Sequence, residues 1–164
     1  MFDLVVLGDC NPDLVLSGAD VVPQFGQVEK LVEDAELTIG GSGGIMAAGA
    51  ARLGLNTAMV GVVGDDLFGR FMVDALIARN VDTTGITVDS NARSGLTVVL
   101  ARPDDRAILT FPGTISALSR EHIDSAKRSH VRATPAFFVN GRIQDVSFGL
   151  QALRDAVEAS LRKR

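Results

Sequence analysis

Two short stretches hold most of the residues with chemistry to offer. Gly40-Gly-Ser-Gly-Gly44 is a glycine run that leads into an Ala-rich segment, and Cys10-Asn-Pro-Asp13 is a polar quartet after the first apolar run. A glycine-rich loop that opens a helix presents backbone N–H groups to an oxygen-rich ligand. The same glycines also suit a tight turn with close helix packing, so two readings stand. The run is not G-x-x-x-x-G-K-[ST], and its glycines do not fall on G-x-G-x-x-G, so neither common phosphate loop is present. In the quartet, Asn11 and Asp13 are also ordinary turn formers. Cys10 is the single cysteine, which excludes an internal disulfide and fits a buried thiol in a reducing cytoplasm. His122 and His130 stand alone and far apart, without metal-ligand spacing.

The elements that must position these residues follow from periodicity. Leu4-Val-Val-Leu-Gly8 and Asp13–Ser17 are apolar runs of strand length, and Glu36–Ile39 alternates like a half-exposed strand. Residues 18–34 read as loop. Ile45 to Leu53 favours helix, with Gly54 as its C-cap. Thr57–Val63 is a further buried strand. Asp65 and Asp66 are expected to cap a helix that runs to about Arg79, with Phe68, Phe71, Met72, Ala75 and Leu76 at helical spacing. Ile86–Val88, Leu96–Ala101 and Ala107–Phe111 are expected strands, the last two joined by a turn at Pro103-Asp-Asp105. Ser119 caps a short helix to about Ser129. Asn140-Gly141 lies between Ala136–Val139 and Ile143–Val146, a strong hairpin signal, and Ser147 opens a terminal amphipathic helix. Strands alternating with helices predict an α/β protein with a mainly parallel sheet.

The chain has 164 residues, enough for one ordinary domain. Mean hydropathy is +0.24, yet no apolar run approaches the ~20 residues of a membrane helix, and the N-terminus lacks the basic region of a signal peptide. A cytoplasmic location is the expectation. Charge is uneven. Residues 1–126 carry 8 Lys and Arg against 17 Asp and Glu, whereas residues 127–164 carry 8 against 3. The basic residues of the tail are scattered without aromatic partners, which favours a solvated helix face over nucleic-acid binding.

Four further segments carry a resemblance. "VVLGDCNPDLVL", "GGSGGIMAAGAARLG", "VGVVGDDLFGRFMVDALIARNVDTTGI" and "SGLTVVLARPDDRAILTFPGTISALS" resemble, in order and spacing, the N-terminal half of the ribokinase, or PfkB, family of carbohydrate kinases. The resemblance covers about residues 2–123. It implies a ribokinase-like three-layer α/β fold with lid strands, here truncated, and ancestry in ATP-dependent phosphorylation of a sugar or nucleoside hydroxyl. It also implies substrate binding by Asn11, Asp13, Gly40, Gly41 and Ser42; a carboxylate accepts two hydroxyl bonds at once, which suits Asp13. Ile45 departs from the Asn found there in many sugar-binding members. The family's catalytic base lies in a Gly-Ala-Gly-Asp segment that this sequence lacks, so no catalytic residue is assigned. ATP and Mg are expected only for a complete member, and no metal site is expected here.

"ATPAFFVNGR" resembles the end of a thioredoxin-like domain of the DsbA type, where a Thr-Pro before a strand carries a cis proline. The reading therefore divides the chain into a PfkB-like substrate-side half at 1–126 and a thioredoxin-like tail at 127–164, a hairpin plus helix. Other functions follow from it: a non-redox binding module, or a partner-dependent protein. The latter would form a homo-oligomer through its lid strands or an open sheet edge.

Overall fold

The computed structural model describes residues 2–117, 137–139 and 142–144, together with residues 154, 155, 158, 159 and 162. β1 (Leu4–Leu7) runs straight into β2 (Pro12–Ser17), and a long loop leads to β3 (Asp34–Ile39). α1 (Ser42–Arg52), β4 (Thr57–Gly64), α2 (Leu67–Ile77) and β5 (Val81–Asp89) follow. Then come β6 (Leu96–Ala101), β7 (Arg106–Phe111) and a 3-10 turn at Gly113–Ala117.

The strands form two sheets: the alternation of strands and helices alone predicts one mainly parallel sheet, whereas the family resemblance also implies lid strands. The inner sheet, β1-β4-β5, is parallel throughout. The outer sheet, β3-β2-β6-β7, is mixed: β2 pairs parallel with β6 and antiparallel with β3, and β6 pairs antiparallel with β7. The reason lies in the connections. A parallel neighbour needs a crossover of a dozen residues or more, and only residues 8–11 separate β1 from β2. β2 therefore leaves the first sheet and founds the second.

The core lies under the inner sheet. Leu4, Met59, Val63 and Val81 from the strands meet Ala47 and Ala50 of α1 and Met72 and Leu76 of α2. Met59, Met72 and Leu76 are 0% exposed. The small residues Gly43, Gly44, Ala47 and Ala50 make up the buried face of α1, which lets it lie close to the strands. The outer sheet is far wetter. Every residue of β7 is exposed, including Ile108, Leu109 and Phe111.

Two boundaries move from their expected places. α1 starts at Ser42, a turn before Ile45, because a distant carboxylate caps it. β5 starts at Val81, five residues before Ile86, because pairing with β4 extends the polar Asp82-Thr-Thr segment as strand. Asp66 caps α2 as expected, its Oδ1 accepting from the Gly69 N–H at 2.9 Å. Gly54 ends α1 at φ +89°.

In the tail, β8 (Phe137–Val139) pairs antiparallel with β9 (Arg142–Gln144), the hairpin expected around Asn140-Gly141. Arg162 N–H donates to the Glu158 carbonyl at 3.1 Å, the bond of a helical turn, within the expected terminal helix. The helix expected from Ser119 and the Thr134–Pro135 peptide lie outside the described residues.

Candidate functional site

Chain enters or leaves the outer sheet at four places: residues 8–11, 40–41, 90–95 and 112. The first two meet. Asn11 follows β1 and is 2% exposed. Its Nδ2 donates to the Thr97 hydroxyl at 3.3 Å and to the Pro12 carbonyl at 3.4 Å. Its Oδ1 is buried and, among the described residues, has no hydrogen-bond partner. Leaving such an acceptor unpaired costs about 1–3 kcal/mol, so this atom stands out.

Asp13 projects from β2 against the glycine run. A Cβ at Gly40 would collide with the Asp13 carboxylate, so glycine is what lets the two approach. Gly41 sits at φ +69°, and a Cβ there would lie 2.9 Å from Asn11 Oδ1. Thr97 stands beside Asp13 in the β2–β6 register, and its hydroxyl pairs with that of Thr110 at 3.3 Å. Asn11, Asp13, Gly40 and Gly41 are thus brought together, as expected from the sequence.

Ser42 belongs to a neighbouring arrangement that the sequence reading missed. Its hydroxyl donates to Asp9 Oδ1 at 2.6 Å. The backbone N–H groups of Ser42 and Gly43 donate to Asp9 Oδ2 and Oδ1, both at 3.0 Å. Gly44 N–H donates to the Asp9 carbonyl at 3.1 Å, and Gly40 N–H to the Asn11 carbonyl at 3.1 Å. Of the two readings of the glycine run, the tight turn with close packing fits and free N–H groups for a ligand do not: those of residues 40 and 42–44 are turned inward. A signal for Asp9 was available. Gly41 has no side chain to cap α1, so a helix starting there needs an acceptor from elsewhere. Thr97 carried no such signal; its place depends on the β2–β6 register.

The two carboxylates are driven apart. Burial pushes Asp9 upward, but the Ser42 hydroxyl and the N–H groups of Gly43 and Ser42 outweigh it and hold the carboxyl below its ordinary value. Asp13 is raised, first by burial and further by the negative charge of Asp9, with the Thr97 hydroxyl opposing. Asp9 is thus a fixed anion, while Asp13 is the more basic group and the one turned toward Gly40. Cys10 is pushed up to about 12, by burial and then by Asp9, so its thiol stays protonated and unreactive.

These residues do not fit a bound phosphate or its metal. Asp9 already holds the N-terminus of α1, where an anion would otherwise be drawn. Among the described residues no three His, Cys, Asp or Glu side chains converge as metal ligands. A shallow cavity of about 180 Å³ lies elsewhere, on the outer sheet between Val21, Pro23, Leu100 and Arg106. It shares no residue with the Asn11–Asp13 cluster.

Comparison with known proteins places the chain. The family profile of pfkB family carbohydrate kinase matches residues 1–162, and the chain belongs to that family. It is 42% identical to the Arabidopsis thaliana protein named Probable fructokinase-7 over 94 residues, which is 56% of this chain and 27% of that protein. It is 32% identical to ribokinase of Haemophilus influenzae over 119 residues, 71% of this chain and 38% of that one. The structure of Arabidopsis thaliana ribokinase complexed with ribose and ATP matches with a TM-score of 0.60 at 26% identity, over 67% of this chain and 36% of that chain. The fold is accordingly ribokinase-like α/β, and the chain spans well under half the length of these relatives. The family match continues across the tail to residue 162, and the thioredoxin-like resemblance gains no support from it. No helix among the described residues is long and apolar enough to cross a membrane.

Proposed function

We propose that residues 1–126 are the substrate side of a carbohydrate kinase and bind the hydroxyls of a sugar or nucleoside at Asn11, Asp13 and the Gly40–Gly41 edge. Residues 127–164 are the basic tail in this reading, and the family match continues across them to residue 162. The observation that carries the proposal is the buried Asn11 Oδ1, an acceptor without a partner among the described residues, which shares the Gly40–Gly41 edge with the Asp13 carboxylate. Two acceptors side by side suit a pair of hydroxyl donors, and a carboxylate takes up such bonds strongly. Ser42 supports this edge by holding Asp9. That a related ribokinase is found with ribose and ATP agrees with the class of substrate.

Phosphoryl transfer needs a positioned base and a site for the developing charge. Neither is offered by the described residues, and the 164 residues contain no Gly-Ala-Gly-Asp segment. The reading is therefore of sugar binding without turnover by this chain alone. Thermal shift with D-fructose, D-ribose, adenosine and ATP tests it. Stabilisation by a sugar or nucleoside, with none by ATP, is the expected result. A melting point that responds to protein concentration alone would instead favour self-pairing through the exposed outer sheet.

A further inference from the structure

The other two points where chain enters or leaves the outer sheet are fastened together, and one carboxylate holds them to the core. Asp66 reaches in two directions. Its Oδ1 accepts from Gly69 N–H at 2.9 Å, which caps α2. Its Oδ2 accepts from Ser94 N–H at 2.8 Å, on the crossing that leads into β6. Ser94 is 2% exposed, and its hydroxyl accepts from Gly64 N–H, at the end of β4, at 2.9 Å. The second point is tied to the first: Thr114 N–H donates to the Arg93 carbonyl at 3.0 Å, and Gly95 N–H to the Thr114 hydroxyl at 3.3 Å. The packing leaves no slack. A Cβ at Gly69 would collide with the Gly64 carbonyl and lie 2.9 Å from Ser94 Oγ.

We infer that the Asp66–Ser94 joint fixes the angle of the outer sheet over the core, and so positions Asp13 and Thr97 against Asp9, Asn11 and Gly40. The outer sheet is held within itself by ladders of five and six residue pairs. It therefore moves as a body, and what sets its pose is its attachment to the core. Two of the four points form the candidate site. The other two meet at Ser94 and Thr114, on the far side of β6 from the tip of the β6–β7 hairpin. A shift at this joint swings Asp13 relative to Asp9, whose carboxylate is held by Ser42 and Gly43 of α1. Asp66 is a positioning residue in this scheme: it touches no ligand. The consequence for sugar binding rests on the function proposed above, whereas the geometric claim does not.

The test uses Asp66→Asn in the full chain. The amide Oδ1 keeps the α2 cap, since Asn is as good an N-cap as Asp, but its NH2 faces the Ser94 N–H where the second carboxylate oxygen stood. Carboxyl titration by NMR then reads Asp13 and Asp9 separately. If the joint sets the pose, Asp13 becomes better solvated and farther from Asp9, and its midpoint falls toward the ordinary carboxylate value. Asp9 keeps its depressed midpoint. An unchanged Asp13 would overturn the inference, and so would equal movement of both, which signals general loosening. Should Asp66→Asn fail to fold, Ser94→Ala severs the Gly64 link with the α2 cap intact and is read the same way. A D-fructose or D-ribose titration follows, in which Kd is expected to rise about 2- to 30-fold. A wild-type chain that binds no sugar while Asp13 responds as described would defeat the proposed function and leave the joint standing.

Discussion

Replacing Asp13 by Asn is the most direct probe of the candidate site, because its effects with and without ligand are expected to differ in kind. In the unliganded protein Asp13 is half-buried, and its carboxyl is raised by burial and by the charge of Asp9. A folded-state value above the unfolded one means that the fold favours the protonated form. That contribution is fully present below the unfolded value and is lost as pH rises through the folded one. At neutral pH the ionised Asp13 is thus a mild burden, and the neutral amide relieves it. The unliganded melting point should stay within about 2–4 °C of wild type, the range a change of about 1 kcal/mol produces in a domain of this size. Sugar binding should suffer. A hydrogen bond to a charged group contributes about 1.5–3 kcal/mol, so its loss weakens Kd about 10- to 150-fold. At a sugar concentration 100 times the wild-type Kd, the ligand stabilises by about 2.7 kcal/mol. A 100-fold weaker variant keeps only about 0.4 kcal/mol at that concentration. Differential scanning fluorimetry with D-fructose and D-ribose resolves this difference. A large loss of stability without ligand would show Asp13 to be structural, and an undiminished sugar response would remove it from the site.

The other predictions bear on the same corner of the fold. Gly40→Ala places a methyl against the Asp13 carboxylate, so the strand must shift; chemical denaturation should show a loss of about 1–3 kcal/mol, together with loss of any sugar response. Asp9→Asn removes the charge that caps α1 and should cost about 1–2 kcal/mol at neutral pH. Because the Asp9 carboxyl lies below its ordinary value when folded, its contribution is present above the unfolded value and fades as pH falls through the folded one. Urea midpoints of wild type and Asp9→Asn should therefore converge in acid, and a constant gap would contradict the capping role. With Mg and ATP, the purified chain should show no sustained phosphorylation of a sugar and nucleoside panel; turnover that disappears in Asp13→Asn would refute that reading.

Much of this was legible in the sequence, for identifiable reasons. Apolar runs ended by glycine or polar turns located β1, β2, β4, β6 and β7, because burial dictates their composition. Asp66 declared itself as a cap because the acceptor lies only three residues from its donor, Gly69. The start of α1 did not, since its acceptor, Asp9, lies 33 residues before Ser42 in the chain. β5 was cut short because Asp82-Thr-Thr lacks apolar character and is strand only through pairing with β4. The split into two sheets came from the resemblance, through its lid strands, and not from hydrophobic pattern, because it rests on the brevity of residues 8–11. In the site, Asn11, Asp13, Gly40 and Gly41 emerged from a family motif, and the structure brings them together. Thr97 did not, because its proximity is created by the outer sheet's register.

The cap on α1 also constrains what kind of ligand this corner can take. A glycine-rich helix start would ordinarily draw an anion, through its N–H groups and the helix dipole. Here the chain supplies the anion itself: Asp9 takes the N–H groups of Ser42 and Gly43 and remains ionised. A phosphate approaching the same place would meet a negative charge and find those donors spent. A neutral polyol meets no such barrier. In the proposed reading its hydroxyls donate to Asn11 Oδ1, which has no partner among the described residues, and to the Asp13 carboxylate, which is raised by burial. On the function proposed above, the electrostatics of the corner favour a neutral hydroxylated ligand over a phosphorylated one. In this proposal, the charge that must form during transfer has to be met by groups other than these.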